Sequence, residues 1–287
     1  MNREYTYGRR SDGDLKAVKN PLSVTIVTPS FNQARFIEET ILSVQRQDYA
    51  GIQHIVVDGG STDGTLDILK KYPHVAWISE TDKGQSDALN KGFRMAEGDI
   101  VGWLNADDTY LPWAVRSAVD VFRKFPDVAM VYGLVNIIDA ESEVYRTRYS
   151  PDFDLGLLVR GGRCYIQPVT FFRREIFAEI GYLDPTFHEA MDYEFFVRVG
   201  QRFSVKRIRK VIGNYRTHTH SKTFSGATSQ RALLEREEIR RRFGSLGASQ
   251  CPGFLMMLRD FAIVQYYRYY GGVRSLPRIV SYRWKHR

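Results

Sequence analysis

Between residues 23 and 138 the apolar positions switch repeatedly between two periods. Ser23-Val24-Thr25-Ile26-Val27-Thr28 is β-branched and mostly apolar, the composition of a strand covered on both faces. Pro29 is read as its end, followed by a polar turn at Ser30-Phe31-Asn32-Gln33. Residues 34–47 place Phe36, Ile37, Ile41 and Val44 at helical spacing, which predicts an amphipathic helix. A strand over 53–57, a short helix over 65–72, a strand over 75–79 and a helix over 86–96 follow. The apolar run 100–104 is a further strand, succeeded by a helix over 112–125 and a strand over 129–138. Strand alternating with helix at these lengths predicts an α/β fold with a doubly wound, mostly parallel sheet and flanking helices.

Beyond Ile138 the regularity weakens. Residues 153–163 have no clear period, 169–172 read as a strand and 174–180 as a short helix. A helix is predicted over 191–201, a strand rich in Lys and Arg over 205–215 and a charged helix over 229–243. Residues 253–270 are apolar and aromatic, and 277–287 form a basic tail. No internal repeat appears. The polar first 20 residues read as a flexible leader. The Ser/Gly/Thr-rich stretch 221–229 divides a domain over 21–225 from a helical, basic C-terminal region over 226–287.

Composition narrows the classes. At 287 residues the chain is long enough for a large core, and its two cysteines form no framework. No run of 18 apolar residues predicts a transmembrane helix, and the N-terminus has no apolar signal core. Charge is unevenly spread. Residues 1–200 hold 22 Lys+Arg against 29 Asp+Glu, whereas 201–287 hold 19 against 4. A basic C-terminal surface suits an anionic partner. The sequence has no zinc-finger spacing or RNA-binding signature, so nucleic acid is not expected. Interleaved Tyr, Trp and Leu fit an anionic membrane surface, which predicts a cytoplasmic protein, peripheral on the inner face of the membrane. Packing of 253–270 on the core is the alternative.

The candidate chemistry sits at four strand ends. These are Thr28-Pro29-Ser30-Phe31-Asn32, the turn from Asp58 to Gly64, the loop from Glu80 to Asp87, and Asn105-Ala106-Asp107-Asp108. In a doubly wound sheet, successive strand ends converge on one edge, where such folds bind ligands. Adjacent carboxylates at Asp107 and Asp108 repel unless a cation offsets them, and hard oxygen ligands suit Mg²⁺ or Mn²⁺. Capping of the next helix is the alternative. No GxGxxG follows the first strand, and no GxxxxGK[ST] or GxSxG is present. The turn at 58–64 lacks the oxygen ligands of a calcium loop at Gly60 and Thr62.

Taken in order, Val24-Thr25-Ile26-Val27-Thr28-Pro29-Ser30-Phe31-Asn32, Val56-Val57-Asp58-Gly59-Gly60-Ser61-Thr62-Asp63-Gly64-Thr65 and Leu104-Asn105-Ala106-Asp107-Asp108 resemble a family 2 glycosyltransferase over roughly residues 22–225. The resemblance implies a GT-A fold, a nucleotide-diphosphosugar donor (UDP-, GDP- or dTDP-), a divalent cation and inversion at the anomeric carbon. On that pattern Thr28, Ser30 and Asn32 lie near the nucleotide, and Asp58 meets its base. Asp82, Lys83 and Gln85 line the donor, with Asn105 and Ala106 beside them. Asp107 matches the metal-binding position, with Asp108 next to it. Asn105 stands where a carboxylate is commoner.

His188-Glu189-Ala190-Met191-Asp192-Tyr193-Glu194 resembles the family's catalytic-base segment, which makes Asp192 the base and Glu194 the second choice. Tyr215-Arg216-Thr217-His218 resembles its Arg-x-His segment. There His218 approaches the metal or diphosphate, and Arg216 or Lys222 pairs with phosphate. Gln167, after Cys164-Tyr165-Ile166, is an acceptor contact. The expected activity is hexosyl or deoxyhexosyl transfer to a cell-envelope glycan or lipid-linked acceptor. A sugar-1-phosphate nucleotidyltransferase and a non-catalytic binding module are the alternatives. The first wants basic residues after the first strand, which 28–32 lack.

Overall fold

The computed structural model describes residues 21–161, 167–219, 221, 229–244 and 262. The expected leader, the 222–228 boundary segment, Cys164, Lys222 and the C-terminal segments beyond 244 (Ala262 apart) lie outside the described residues.

Nine strands form one sheet in the order β3-β2-β1-β4-β8-β6-β9-β5, with β7 pairing β6. The parallel first half consists of β1 (Val24–Ser30), β2 (Ile52–Asp58), β3 (Val75–Ser79) and β4 (Ile100–Trp103). The two-residue β5 (Thr109–Tyr110) follows the acidic tip. Next come β6 (Val128–Ile138), β7 (Val144–Arg148), β8 (Thr170–Arg173) and β9 (Ser204–Arg216). β8 lies antiparallel between β4 and β6, while β6 and β9 are parallel. Among the described residues eight α-helices connect or flank these strands: α1 (Ile37–Gln45), α2 (Thr65–Leu69), α3 (Gln85–Met95), α4 (Ala114–Lys124), α5 (Leu155–Gly161), α6 (Ile176–Ile180), α7 (Met191–Arg202) and α8 (Gln230–Phe243).

Pro29 does not end β1, because the strand pairs with β2 as far as Ser30↔Asp58. The ladder's alternation explains the tolerance. Ser30 accepts from Gly59 on the β2 side, so Val27 and Pro29 face β4. β4 pairs only up to Trp103, opposite Val27, so the missing N–H of Pro29 has no ladder partner to lose.

Successive side chains of each strand feed opposite faces, as a sheet covered on both sides requires. Ile26, Ile100 and Phe171 join Val115, Val119 and Phe122 of α4 on one face. Val27, Val101 and Phe172 join Leu89 and Phe93 of α3 with Phe195 and Phe196 of α7 on the other. α8 belongs to this second layer, since its Ile239 is fully buried in the same cluster. β5, β7 and α5 were not expected from the hydrophobic pattern: β5 is two residues long, and β7 is half-buried Val-Tyr-Arg-Thr-Arg without an apolar face.

Candidate functional site

The parallel strands end side by side, and their tips are laced together by side chains. At the tip of β1, Thr28 Oγ1 pairs with His54 Nε2 at 3.0 Å, and Ser30 Oγ is buried without a hydrogen-bond partner. Asn32 adopts φ +52°, a conformation its short amide tolerates. Its Oδ1 accepts from Thr62 N, and its own N–H donates to Ser61 Oγ, both across to the β2 tip.

Asp58 is fully buried. Its carboxylate accepts from Gly60 N, Ser61 N, Ser61 Oγ and Ser79 Oγ at 2.5–3.1 Å. Asp58, expected to meet the nucleotide base, thus has its carboxylate engaged in folding the turn. Gly59 allows the next loop to close in, because a Cβ there would lie 2.5 Å from Asp82 Oδ2. Asp82 in turn accepts from Gly84 N at the start of α3, and Lys83 is exposed between them. Phe31, 59% exposed, has its ring edge by Gly59. It was quoted in the first-strand motif but given no role; an exposed aromatic beside a polar turn was the available signal.

At the tip of β4, Asn105 uses its whole amide. Oδ1 accepts from Trp103 Nε1 at 3.0 Å and from Gln85 Nε2 at 2.9 Å. Nδ2 donates to Asp108 Oδ2 at 3.1 Å and to Gln167 Oε1 at 2.9 Å. Gln167 also donates to Trp103 O and is buried, so it braces the strand tip rather than standing open to an acceptor. Ala106 is buried too, and its carbonyl accepts from Thr40 Oγ1.

Asp108, expected beside the metal, is engaged by its neighbours. It is fully buried, with Oδ1 accepting from Arg216 N at 2.8 Å and Oδ2 from Asn105. Burial pushes its carboxyl well above the usual range, and the neighbouring Asp107 charge adds to the rise. Arg216, expected at a phosphate, has no exposed side-chain surface. It donates to Asp107 O, Asp139 O, Ser142 Oγ and Glu39, and stacks on Phe36.

Asp107 differs from its neighbour. Its side chain is 19% exposed, and Oδ2 lies 3.1 Å from His218 Nε2. The His218 ring packs on Phe36 with centroids 4.7 Å apart. Among the described residues no group of three or more His, Cys, Asp or Glu side chains converges as a cage.

Asp192 lies in the first turn of α7, and its Oδ1 accepts from Tyr193 N. The segment before it is tied to the crevice through α3. Ser86, next to Gln85, donates to Phe187 O and Met191 Sδ, and Asn90 exchanges two hydrogen bonds with Leu183. Glu194, the second candidate base, is excluded by its surroundings: it is buried and bidentate with Arg198 at 2.7 and 2.8 Å.

The comparisons agree with this architecture. An uncharacterised glycosyltransferase of Mycobacterium tuberculosis is 33% identical over 199 residues, covering 68% of this chain and 75% of its own length. Chondroitin synthase of Escherichia coli is 28% identical across 75% of this chain, which spans only 32% of that protein. Among solved structures, S. aureus TarS 1–349 in complex with UDP-GlcNAc superposes with a TM-score of 0.62 at 17% identity, over 77% of this chain and 65% of that one. The mannosyltransferase PcManGT from Pyrobaculum calidifontis, in complex with GDP-Man and Mn²⁺, gives 0.54 at 17% identity, over 93% and 88%. These two likenesses establish the GT-A fold. The glycosyl transferase family 2 model matches residues 25–181, from β1 through α6, and so takes in the whole run of laced strand tips: this chain belongs to glycosyl transferase family 2.

Proposed function

We propose that this chain is an inverting, metal-dependent glycosyltransferase that moves a hexosyl or deoxyhexosyl group from a UDP-, GDP- or dTDP-sugar to a hydroxyl of a cell-envelope glycan or lipid-linked acceptor. The observation that carries the reading is the pair Asp107 Oδ2 and His218 Nε2, 3.1 Å apart at the C-terminal edge of the sheet. Two ligands at about 2.1 Å on neighbouring vertices of an octahedron stand roughly 3.0 Å apart, so the spacing of the pair would suit one edge of the shell of an Mg²⁺- or Mn²⁺-sized ion. Such ions are commonly held by one or two protein groups together with substrate phosphates, which suits a site where no larger cluster of ligands converges among the described residues. When bound, the cation offsets the charge gathering on the departing diphosphate.

The chain's own groups do the rest. Phe31 offers a flat apolar face to the nucleotide base. Lys83 supplies an exposed cation ahead of α3. Asp192 takes the proton of the acceptor hydroxyl as its oxygen bonds to the anomeric carbon. The electron pair of the breaking bond leaves with the nucleoside diphosphate, and attack from the opposite face inverts the centre.

The acceptor class rests on chondroitin synthase of Escherichia coli and the O-antigen biosynthesis protein RfbC of Myxococcus xanthus, relatives whose names are those of glycan-polymer enzymes. A peripheral seat at the inner membrane face rests on the basic C-terminal third and on Leu233 and Leu234, both more than half exposed on α8 near Arg240 and Arg241. Among the described residues no helix is long and apolar enough to cross a membrane. The catalytic body is read as including α8, whose Ile239 is buried in the core cluster that holds Phe195 and Phe196 of α7.

The test is a panel of UDP-N-acetylglucosamine, UDP-glucose, GDP-mannose and dTDP-rhamnose, scored by thermal shift and by slow hydrolysis with and without Mn²⁺. One donor is expected to raise the melting temperature only with Mn²⁺, and Asp107→Ala to mimic EDTA. If no donor shifts the transition, or the shift ignores both EDTA and Asp107→Ala, the metal–diphosphate reading is wrong.

A further inference from the structure

The N-cap of the helix carrying Asp192 is Ala190, which has no side-chain acceptor, and in the first turn Asp192 Oδ1 itself takes the amide of Tyr193. The N–H groups of the bend that leads into α7, residues 188–190, find their partner on α8. Glu235 accepts from His188 N at 2.9 Å through Oε1, and from Glu189 N and Ala190 N at 2.8 and 2.9 Å through Oε2. Arg231, one turn earlier on α8, donates to the same Oε1 at 3.0 Å. The carboxylate is 10% exposed, in a helix whose mean character is strongly polar. A buried acid in such a helix is expensive unless its charge is used. Here three backbone amides of one turn use it.

The same helix holds the rest of the segment. Arg242 pairs with Asp184 at 3.3 Å, and its guanidinium lies 5.0 Å from the Phe187 ring centroid. On the other side, Ser86 and Asn90 of α3 grip Phe187, Met191 and Leu183. Residues 183–191 are thus clamped between the donor-side helix α3 and α8, with Glu235 setting the turn from which Asp192 projects.

We propose that Glu235 is a positioning residue for Asp192: its carboxylate ties the bend at 188–190 to α8 and so fixes the aim of the base. The proposal rests on the assignment of Asp192 as base, and its test separates the two. Hydrogen exchange on the full-length protein comes first and needs no ligand. In the wild type the amides of 188–190 are expected to exchange slowly. In Glu235→Gln, exchange should quicken at least 10-fold there and through the first turn, 191–194, with α3 unchanged. Fast exchange at 188–190 in the wild type, or an unaltered first turn in the variant, would overturn the proposal.

The kinetic arm uses hydrolysis of UDP-N-acetylglucosamine and GDP-mannose with Mn²⁺. Glu235→Gln should lower kcat at least 10-fold and leave the donor KM within twofold, whereas general loosening would move both. If Asp192→Asn removes turnover while Glu235→Gln keeps the wild-type kcat, the positioning role fails alone. If Asp192→Asn keeps full turnover, the base assignment fails and the positioning role with it. Should Glu235→Gln fold poorly, Arg231→Ala, at a half-exposed position, offers a milder release of the same carboxylate and should give a smaller fall in kcat in the same direction. An unchanged kcat in that variant, alongside slow exchange at 191–194, would also overturn the proposal.

Discussion

Asn105 donates its amide to Asp108 at 3.1 Å, and this one bond decides which residue type position 105 can hold. An aspartate there would face a buried carboxylate at hydrogen-bond distance and would have nothing to donate to Gln167 either. The amide is therefore required by its neighbours. Asn105→Asp should destabilise the protein by about 2–4 kcal/mol, the range for breaking a buried network and adding a like charge. Urea unfolding measures it, and a midpoint equal to the wild type would refute the requirement.

Arg216 makes four side-chain hydrogen bonds from a buried site, and one carbonyl it holds belongs to Asp107. Arg216→Lys keeps the charge but not the fork, so it should cost about 3 kcal/mol. It should also weaken Mn²⁺ binding in the surviving folded fraction. Calorimetry with Mn²⁺ and a nucleoside diphosphate reads the second effect; affinity equal to the wild type would mean that Arg216 does not shape the Asp107 turn.

For His218, loss of a ring buried on Phe36 should cost about 1–3 kcal/mol of stability, and its 3.1 Å partnership with Asp107 gives a second readout. His218→Ala is expected to weaken Mn²⁺-dependent donor binding by roughly 10–100-fold, as for loss of a metal-site partner. A donor thermal shift that survives intact would remove His218 from the site.

The two acids of α7 should separate cleanly. Asp192→Asn should abolish transfer to water or acceptor while shifting stability by less than about 0.5 kcal/mol. Glu194→Gln should do the reverse, costing about 2–3 kcal/mol through the buried Arg198. Hydrolysis rates and denaturation curves on both variants check this, and a stable but inactive Glu194→Gln would exchange their roles.

His54 gives a pH dependence with a definite sign. It is fully buried against Thr28, and burial, with a smaller contribution from His74, lowers its pKa from 6.5 to about 3. Between those values the unfolded chain binds a proton that the folded chain refuses, so stability falls as pH drops from 6.5 towards 3. The slope contributed approaches about 1.4 kcal/mol per pH unit. Urea midpoints at several pH values should show a flatter slope for His54→Gln; equal slopes would mean that His54 takes a proton in the folded state.

What the sequence made legible follows contact range. The first half of the sheet was readable because β-branched runs such as 23–28 and helical spacing at Phe36, Ile37, Ile41 and Val44 are local signals. The strand-end clusters were readable for the same reason. Roles inside the clusters were not, because they depend on partners far along the chain. Asp107 and Asp108 are adjacent in sequence and alike in type. Only the approach of Arg216 and Asn105 to one, and of His218 to the other, tells them apart. Glu235 was invisible for the same reason: no local pattern marks a carboxylate that holds a bend more than 40 residues away.

The short strand β5 has a consequence for folding order. Thr109 and Tyr110 pair with Asn214 and Gly213, so the turn bearing Asp107 is stitched directly to the strand that leads into His218. Asp107 and His218 are 111 residues apart in sequence, and the loop between them closes only when β9 has found its place beside β6. Contacts of such span form late, after the entropy of closing the loop has been met. A ligand held by both residues therefore recognises only the completed sheet, and its binding free energy adds in full to the stability of that one state.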